Sequence, residues 1–569
     1  MFKGISASAG IAIGKALIYK SQKFNIEKAN IDDVDGEIDQ LKHSIDATIL
    51  QLEKVKAEAE RKMGLDKAAI FEAHIMILMD PEFINDIKNK IIKEKVCSPY
   101  AANEVIKSFI SIFEAMEDDY LRERASDIKD VGKRLLNNLL GRETIDLSKL
   151  SEEVVLVAHD LTPSDTATMN LEKVLGFITE IGGSTSHTAI MARNLEVPAI
   201  VGVNNITMMV KDGDTIVFDG QEGIGYRNPD MHIMEEYSVK KKYFELKRRE
   251  LFRLKDQATY SKDKRKVELG CNIGTPRDVK MALKNGAEGI GLYRTEFLFM
   301  NRSNMPTEEE QFQAYKEVLE EMEGKPVIIR TLDIGGDKEL PYLNLPKEAN
   351  PFLGYRAIRI SLNQPEIFKV QLRALLRSSL YGNLKIMYPM ISSVEEVRAA
   401  NEILEDVKRE LKEKSIEYSN QIEIGIMIEI PAAAVIGDLL IKEVDFFSIG
   451  TNDLIQYSTA VDRLNEGVSY LYEPFHPAVL RLIKLIIDYA HADGKWVGMC
   501  GEMAGDLNII PILLGLGLDE FSMNASAILP ARKLIAELSY LEMKKLAEET
   551  LILSTSKEIR NFIAENLKK

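Results

Sequence analysis

Apolar and polar residues alternate through GIAIGKALIYK near the start of the chain. Gly10 and Gly14 suit a short β element, so the first 20 residues are predicted to form one or two strands whose partner lies later in sequence. From about residue 30 to 141 the period changes. Ile38, Leu41, Ile45, Leu52 and Val55 fall at three- and four-residue steps or their sums, with charges between them, which is the stripe of a long amphipathic helix. Gly64 and Asp66 break it. A second helix runs through IFEAHIMILMD and stops before Pro81, and further helices are expected over 82–95, 99–116 and 118–140. After Gly141 short apolar runs return in EEVVLVAHDL, VLGFITEIGG, PAIVGV and DTIVFDG, separated by helix and turn signals. Residues 231–256 read as one long charged helix. Beyond it come eight strand candidates, at 266–272, 289–293, 327–330, 385–388, 424–428, 446–449, 496–499 and 520–522, with helical patterns between most of them.

This rhythm predicts a multidomain α/β chain. A β/α domain covers 1–20 and 142–228, an all-α bundle at 21–141 is inserted into it, a linker helix spans 229–260, and a (β/α)8 barrel fills 261–569. Gly225, Asn228 and Pro229, just before the linker, are candidate hinge residues. Composition narrows the class. With 569 residues, 45% of them hydrophobic, the chain has ample material for packed cores. A net charge of -16 argues against a general nucleic-acid binder or a binder of anionic membranes. Cys97, Cys271 and Cys500 are far apart and form neither a disulfide framework nor a metal motif. The start lacks the apolar run of a signal peptide, and no stretch approaches the roughly 20 apolar residues of a membrane helix. A reducing cytoplasm is the expectation.

Candidate chemistry falls in two places. IGGSTSHTAIMARNLEVPAIVGV sets His187 among glycines and hydroxyl residues at the start of a helix predicted over 188–194. Such a turn suits a phosphate-sized anion, and the helix dipole favours negative charge there. His187 either carries a phosphoryl group or simply caps the helix. His159 stands at a strand end and is expected to be structural. In the barrel, chemistry belongs at the C-terminal strand ends. Those ends hold Asn272, Arg294 with Glu296, Arg330 with Asp333, Tyr388 with Met390, Glu429, Asn452 with Asp453, Cys500 with Glu502, and Asn524. The arginines offer planar forks for phosphate or carboxylate, and Arg463 adds a third cation from a nearby loop. Glu429 and Asp453 are oxygen donors suited to Mg²⁺. Cys500 is a proton donor, a nucleophile, or an inert buried thiol. The pocket suits a small doubly anionic substrate held with a divalent metal.

Several long segments carry a resemblance over the whole chain: GGSTSHTAIMAR, GLYRTEFLFM, RTLDIGGDK, NPFLGYRAIR, IGIMIEIPAA, SIGTNDLIQY and GMCGEMAGD, in that order. The chain resembles the enzyme I family of the bacterial sugar phosphotransferase system, the phosphoenolpyruvate-protein phosphotransferases. The resemblance implies that His187 is phosphorylated, that Arg294, Arg330, Asn452, Asp453 and Arg463 hold phosphoenolpyruvate, and that Glu429 and Asp453 bind Mg²⁺. It implies that Cys500 protonates the enolate of pyruvate, that Arg356 and Lys338 lie near the phosphate, and that Thr166 hydrogen-bonds the histidine. It also implies that the helical insert docks the histidine carrier HPr and that the barrel domain forms a homodimer. A pyruvate phosphate dikinase or phosphoenolpyruvate synthase shares two of these domains but needs a nucleotide-binding domain for which the chain has no room, and no Walker-type loop appears. With no sensor domain ahead of the core, the sugar-transport form is expected over the nitrogen-regulatory paralogue. A non-catalytic docking protein is the alternative from another class.

Overall fold

In the computed structural model the chain divides into two compact units, residues 1–247 and 248–569. The structure describes all residues except 20–25, 64, 115–118, 143–146, 163–164, 166–168, 184–185, 196, 301, 303, 336–339, 341, 344, 346–347, 464, 466 and 568–569. It also leaves out the side chains of 58–63, 65–70, 114, 119–124, 126, 148, 187, 190 and 194. No helix among the described residues is long and apolar enough to cross a membrane.

The first unit is built on a mixed sheet. Its strands are β1 Phe2–Lys3, β2 Ile5–Ser8, β3 Ile11–Tyr19, β4 Val154–Ala158, β5 Val174–Thr179, β6 Ala199–Val201, β7 Thr215–Asp219 and β8 Ile224–Arg227. They lie in the order β1-β8-β7-β3-β4-β5-β6-β2. The first 20 residues thus give three strands, not one or two. Gly4 is the reason: it joins β1 at one end of the sheet to β2 at the other, so the sheet curls until its ends meet. A Cβ there would stand 2.5 Å from Val203 and 2.6 Å from Ile200, so only glycine fits the crossing. β3 and β4 pair in parallel although the helical insert separates them in sequence. Alternation along β4 puts Val155 and Val157 on one face and Leu156 and Ala158 on the other, each in its own apolar cluster.

Between β3 and β4 run α1 Val34–Met63, α2 Leu65–Met79, α3 Pro81–Glu94, α4 Ser98–Glu114 and α5 Asp119–Leu139. Leu41, Ile45 and Leu52 of the predicted stripe are buried in one core with Phe83, Ile87 and Leu135. Asp80 caps α3 by accepting from the Glu82 N–H, and Pro81 opens the helix at a position where no N–H is needed. α6 His187–Leu195 lies between β5 and β6, the short α7 Ile206–Met209 between β6 and β7, and α8 Met231–Phe252 follows the last strand of the sheet.

The hinge expectation at Gly225 and Asn228 does not hold. Gly225 lies inside β8, paired with both Phe2 and Phe218, and a Cβ on it would meet the Phe2 ring. Asn228 is locked too: its Oδ1 accepts from Thr215 N at 2.8 Å and its Nδ2 donates to Asp214 Oδ1 at 2.7 Å. Tyr237 of α8 packs on Ile11 and Val217, so the start of that helix belongs to the sheet as well.

The second unit is a closed barrel of eight parallel strands: β9 Glu268–Ile273, β10 Gly289–Arg294, β11 Pro326–Arg330, β12 Asn383–Tyr388, β13 Glu423–Ile428, β14 Phe446–Ile449, β15 Trp496–Met499 and β16 Glu520–Met523. Every predicted strand is present, within two residues at either end. The barrel interior is filled: Leu292, Ile328, Met387, Met427 and Phe446 pack together, and Phe446 stacks on Trp496 with ring centroids 4.4 Å apart. Because all eight strands run in parallel, their C-terminal ends share one rim.

Candidate active site

On that rim β10 ends at Arg294 and β11 at Arg330, in register with each other. Arg330 is 6% exposed. Its Nη2 donates to Glu296 Oε1 at 2.7 Å and its Nη1 pairs with Asp333 Oδ2 at 2.9 Å. Asp333 Oδ1 accepts from Arg356 Nη2 at 2.9 Å, and the same nitrogen lies 3.3 Å from Asp453 Oδ2. Arg356 Nη1 donates to the Tyr457 hydroxyl at 3.1 Å, and that hydroxyl donates to Phe352 O at 2.7 Å. Glu296, Arg330, Asp333, Arg356 and Asp453 therefore form one buried chain of alternating sign. Burying charges is costly, and alternation is what makes it tolerable. Burial opposes charge on both arginines, but Asp333 and its fellow carboxylates override it and raise both guanidinium pKa values. Local backbone supports the geometry. Gly335 has φ +107, with a hypothetical Cβ 2.5 Å from that of Arg356. Ala357 holds the strained φ of 53°, and its N–H donates to Ile334 O at 2.9 Å.

Glu429 follows β13 and is 2% exposed. One of its oxygens accepts from the Met390 N–H at 2.7 Å, presented by a residue with φ 55°. Burial first, then Asp453 and Asp333, push the Glu429 carboxyl up to about 8. Two carboxylates thus face each other with incomplete compensation from the arginines. A hard divalent cation relieves that repulsion and takes oxygen ligands, so Glu429 and Asp453 fit Mg²⁺. Among the described residues no group of three or more His, Cys, Asp or Glu is placed to hold a metal. An ion on this pair would draw its other oxygens from substrate and water, which is usual for Mg²⁺.

Asn452 and Asp453 lie in the first turn of helix Thr451–Thr459, and Asn452 Oδ1 accepts from Glu502 N at 3.1 Å. Arg294 is half-buried and has no hydrogen-bond or ion-pair partner among the described residues. Arg463, in the loop after that helix, lies beside the Tyr472 phenol. Cys500, 3% exposed at the end of β15, touches the apolar filling of the barrel, and burial pushes its thiol up to about 11. Lys338 lies outside the described residues, as does Thr166.

In the first unit α6 begins at His187, whose side chain is outside the described set. Ser186 caps the helix, its hydroxyl accepting from Ala189 N at 3.3 Å. Gly182, at φ +117, turns the chain from β5 toward that start. Thr188 donates to Asp160 Oδ1 and to Leu161 O, each at 3.3 Å, which ties the first turn of α6 to the end of β4. His159 pairs through Nδ1 with Glu180 Oε2 at 2.6 Å, and the other Glu180 oxygen accepts from Thr207.

Comparison with known proteins decides the family. Residues 248–540 match the model described as PEP-utilising enzyme, PEP-binding domain; 3–124 match PEP-utilising enzyme, N-terminal; and 150–223 match PEP-utilising enzyme, mobile domain. A phosphoenolpyruvate-protein phosphotransferase of Staphylococcus carnosus (strain TM300) is 53% identical over 100% of this chain and 99% of its own. One from Geobacillus stearothermophilus is 55% identical over 98% of this chain and 97% of its own, and one from Bacillus subtilis (strain 168) is 54% identical over 100% and 99%. The chain belongs to the phosphoenolpyruvate-protein phosphotransferase family. Its barrel brings Arg294, Arg330, Arg356, Glu429, Asn452, Asp453 and Cys500 to one rim. Two contributors to this rim are not among the residues whose chemistry the sequence singled out. Tyr457 was findable, since it stands one helical turn after Asp453 and so shares its face. Met390 was expected at a strand end, but the role of its N–H was not legible, because a backbone donor leaves no mark in side-chain chemistry.

Proposed function

We propose that the chain takes the phosphoryl group of phosphoenolpyruvate onto His187, releases pyruvate, and passes the group to a histidine of the carrier HPr, the first step of sugar uptake by phosphotransfer. The observation that carries this reading is Arg294, a cation with no protein partner among the described residues, set in register beside the buried Arg330 in a chain about half identical, end to end, to phosphoenolpyruvate-protein phosphotransferases. An arginine unpaired among the described residues, beside paired ones, suits an anionic ligand.

In this reading Arg294, Arg330, Arg463 and Asn452 bind phosphoenolpyruvate, with Arg356 and Lys338 close to its phosphate. Glu429 and Asp453 would hold Mg²⁺, which neutralises substrate oxygens when bound. Neutral His187 attacks phosphorus, since only unprotonated imidazole has the lone pair. The phosphoryl group crosses in a loose transition state, so orientation and charge supply most of the rate. Cys500 gives its proton to the enolate carbon. Thr166 hydrogen-bonds His187. The helical insert 21–141 receives HPr, the β/α domain of 1–20 and 142–228 carries the histidine, 229–260 links the halves, and the barrel of 261–569 pairs two copies in the cytoplasm. His187 and the arginines belong to different units, so uptake and delivery need the units to approach and part, on a scale of about microseconds to milliseconds.

The test is label transfer from radioactive phosphoenolpyruvate, with and without Mg²⁺, to wild type and His187→Ala. Acid-labile, base-stable label that requires Mg²⁺ and vanishes in the variant is expected. A well-folded wild type that takes no label rejects the enzyme reading in favour of a docking protein.

A further inference from the structure

We infer that Ser448 positions the Cys500 thiol and donates a hydrogen bond to its sulfur as the thiol proton leaves. This rests on the reading of Cys500 as the group that protonates the enolate carbon. The geometry follows from strand alternation. β14 and β15 are neighbours, with Phe446 in register with Trp496 and Ser448 with Gly498. The Phe446–Trp496 ring stack, in the cluster that fills the barrel, marks the inward face, so Ser448, Gly498 and Cys500 face inward with it. Gly498 offers no side chain, so the next side chain up the inward file of β15 is Cys500. The backbone closes at that height: Cys500 N donates to Ile449 O at 3.1 Å.

Ser448 is fully buried, and its hydroxyl closes no hydrogen bond of ordinary geometry among the described residues. A hydroxyl sealed from water in this way is costly unless some state of the protein uses it. The Cys500 sulfur has the matching need. At rest Sγ lies 3.9 Å from Ile449 O, an acceptor that suits a thiol and repels a thiolate. Leu292, Ile328, Met387 and Met427 around it offer no donor. Burial raises the thiol's pKa most; Ser448 and then Arg330 pull it down, while Glu520 and Glu429 push it up. The carbonyl of Cys500 is held separately: Asn272 Nδ2 donates to it at 3.0 Å, and Asn272 Oδ1 accepts from Ser522 at 2.6 Å. The backbone is thereby pinned while the thiol torsion is left to Ser448.

In the step itself the S–H bond breaks and a C–H bond forms at C3 of the enolate. The S–H electron pair stays on sulfur, Ser448 donates to that thiolate, and solvent later returns the proton. The experiment measures deuterium entry into the pyruvate methyl group by NMR, with the full chain and Mg²⁺ from pH 7 to 12, a span that includes the range to which burial pushes the Cys500 thiol, alongside phosphoenolpyruvate binding. Ser448→Ala is expected to slow exchange about tenfold or more, the weight of one hydrogen bond to a charged group, and to move the alkaline limb upward with binding unchanged. Ser448→Cys, a weaker donor of similar size, is expected to recover much of the rate. Exchange and pH profile matching wild type in Ser448→Ala, with Cys500→Ala inactive, overturn the proposal and leave the Cys500 reading intact. Equal losses in Ser448→Ala and Ser448→Cys without a moved limb make Ser448 merely structural, and also overturn it. Normal exchange in Cys500→Ala removes the Cys500 reading itself. Should Ser448→Ala fold poorly, the Ser448→Cys limb decides: an upward move supports the proposal and an unmoved limb overturns it.

Discussion

At the scale of the residue, Asp333 bears the most weight for its size. It is 3% exposed and holds both Arg330 and Arg356 at 2.9 Å. Asp333→Asn keeps the shape and removes the charge between two buried guanidinium groups. Breaking a buried pair from one side typically costs roughly 3–5 kcal/mol. The barrel's urea midpoint is expected to fall accordingly, with label uptake by His187 falling along with it. Normal stability in the variant would mean that Glu296 and Asp453 suffice for the two arginines. Glu429 yields a second expectation. Its carboxyl is pushed up to about 8, so a cation that binds it must displace a proton near neutral pH. Mg²⁺ affinity should weaken as pH drops from 8 to 6. Calorimetry in buffers of different ionisation heat should show proton release that Glu429→Gln abolishes. At this scale the sequence was legible for charged residues at strand ends, because a parallel barrel puts those ends on one rim. It was illegible for partners. That Arg356 shares Asp333 with Arg330 depends on the glycine turn at Gly335 and the positive φ of Ala357, which no periodicity reveals.

At the scale of the element, α6 shows how a short helix is started at a site. It has nine residues, too few to be stable by propensity alone, so its ends and packing decide its order. Ser186 caps it, and Thr188 ties it to the end of β4. Ser186→Ala is expected to cost about 1 kcal/mol, and it should appear as faster hydrogen exchange of α6 amides with the barrel unchanged. Exchange that stays at the wild-type rate would show that Thr188 and the packing of Ala189 and Ala192 hold the helix without its cap. The eight barrel strands were readable because strands buried on both faces are unbroken apolar runs bounded by turns. β1, β2 and β8 were less so. They have two, four and four residues, and they exist because the sheet curls around Gly4 and gives each a partner. The same long-range pairing explains why Gly225, a plausible hinge in sequence, is a strand residue under Phe2.

At the scale of the whole molecule, pH sets stability through a charge the site does not use. Glu520 begins β16, is 4% exposed, and points into the barrel, where a Cβ on Gly270, Gly291 or Gly498 would collide with its carboxyl group. Its Oε2 has no hydrogen-bond partner among the described residues. Lys385 is near but engaged: it donates to Glu423 at 2.9 Å and lies 4.3 Å over the Trp496 ring. Burial, and then Glu268, push the Glu520 carboxyl up to about 8 from an ordinary 4.5, against Lys385. The folded chain therefore holds this proton more tightly than the unfolded chain. The resulting stability is fully present below pH 4.5 and drains away as pH rises toward and through 8, at up to about 1.4 kcal/mol per pH unit. Glu520→Gln has no proton to lose. Its barrel should unfold near the wild-type temperature at pH 5 and clearly above it at pH 9, with the transition of the first unit unmoved at both. Calorimetric scans at the two pH values read this directly. A gap that does not widen between them would mean that Glu520 is already ionised in the folded barrel, with its charge met by Lys385 after all.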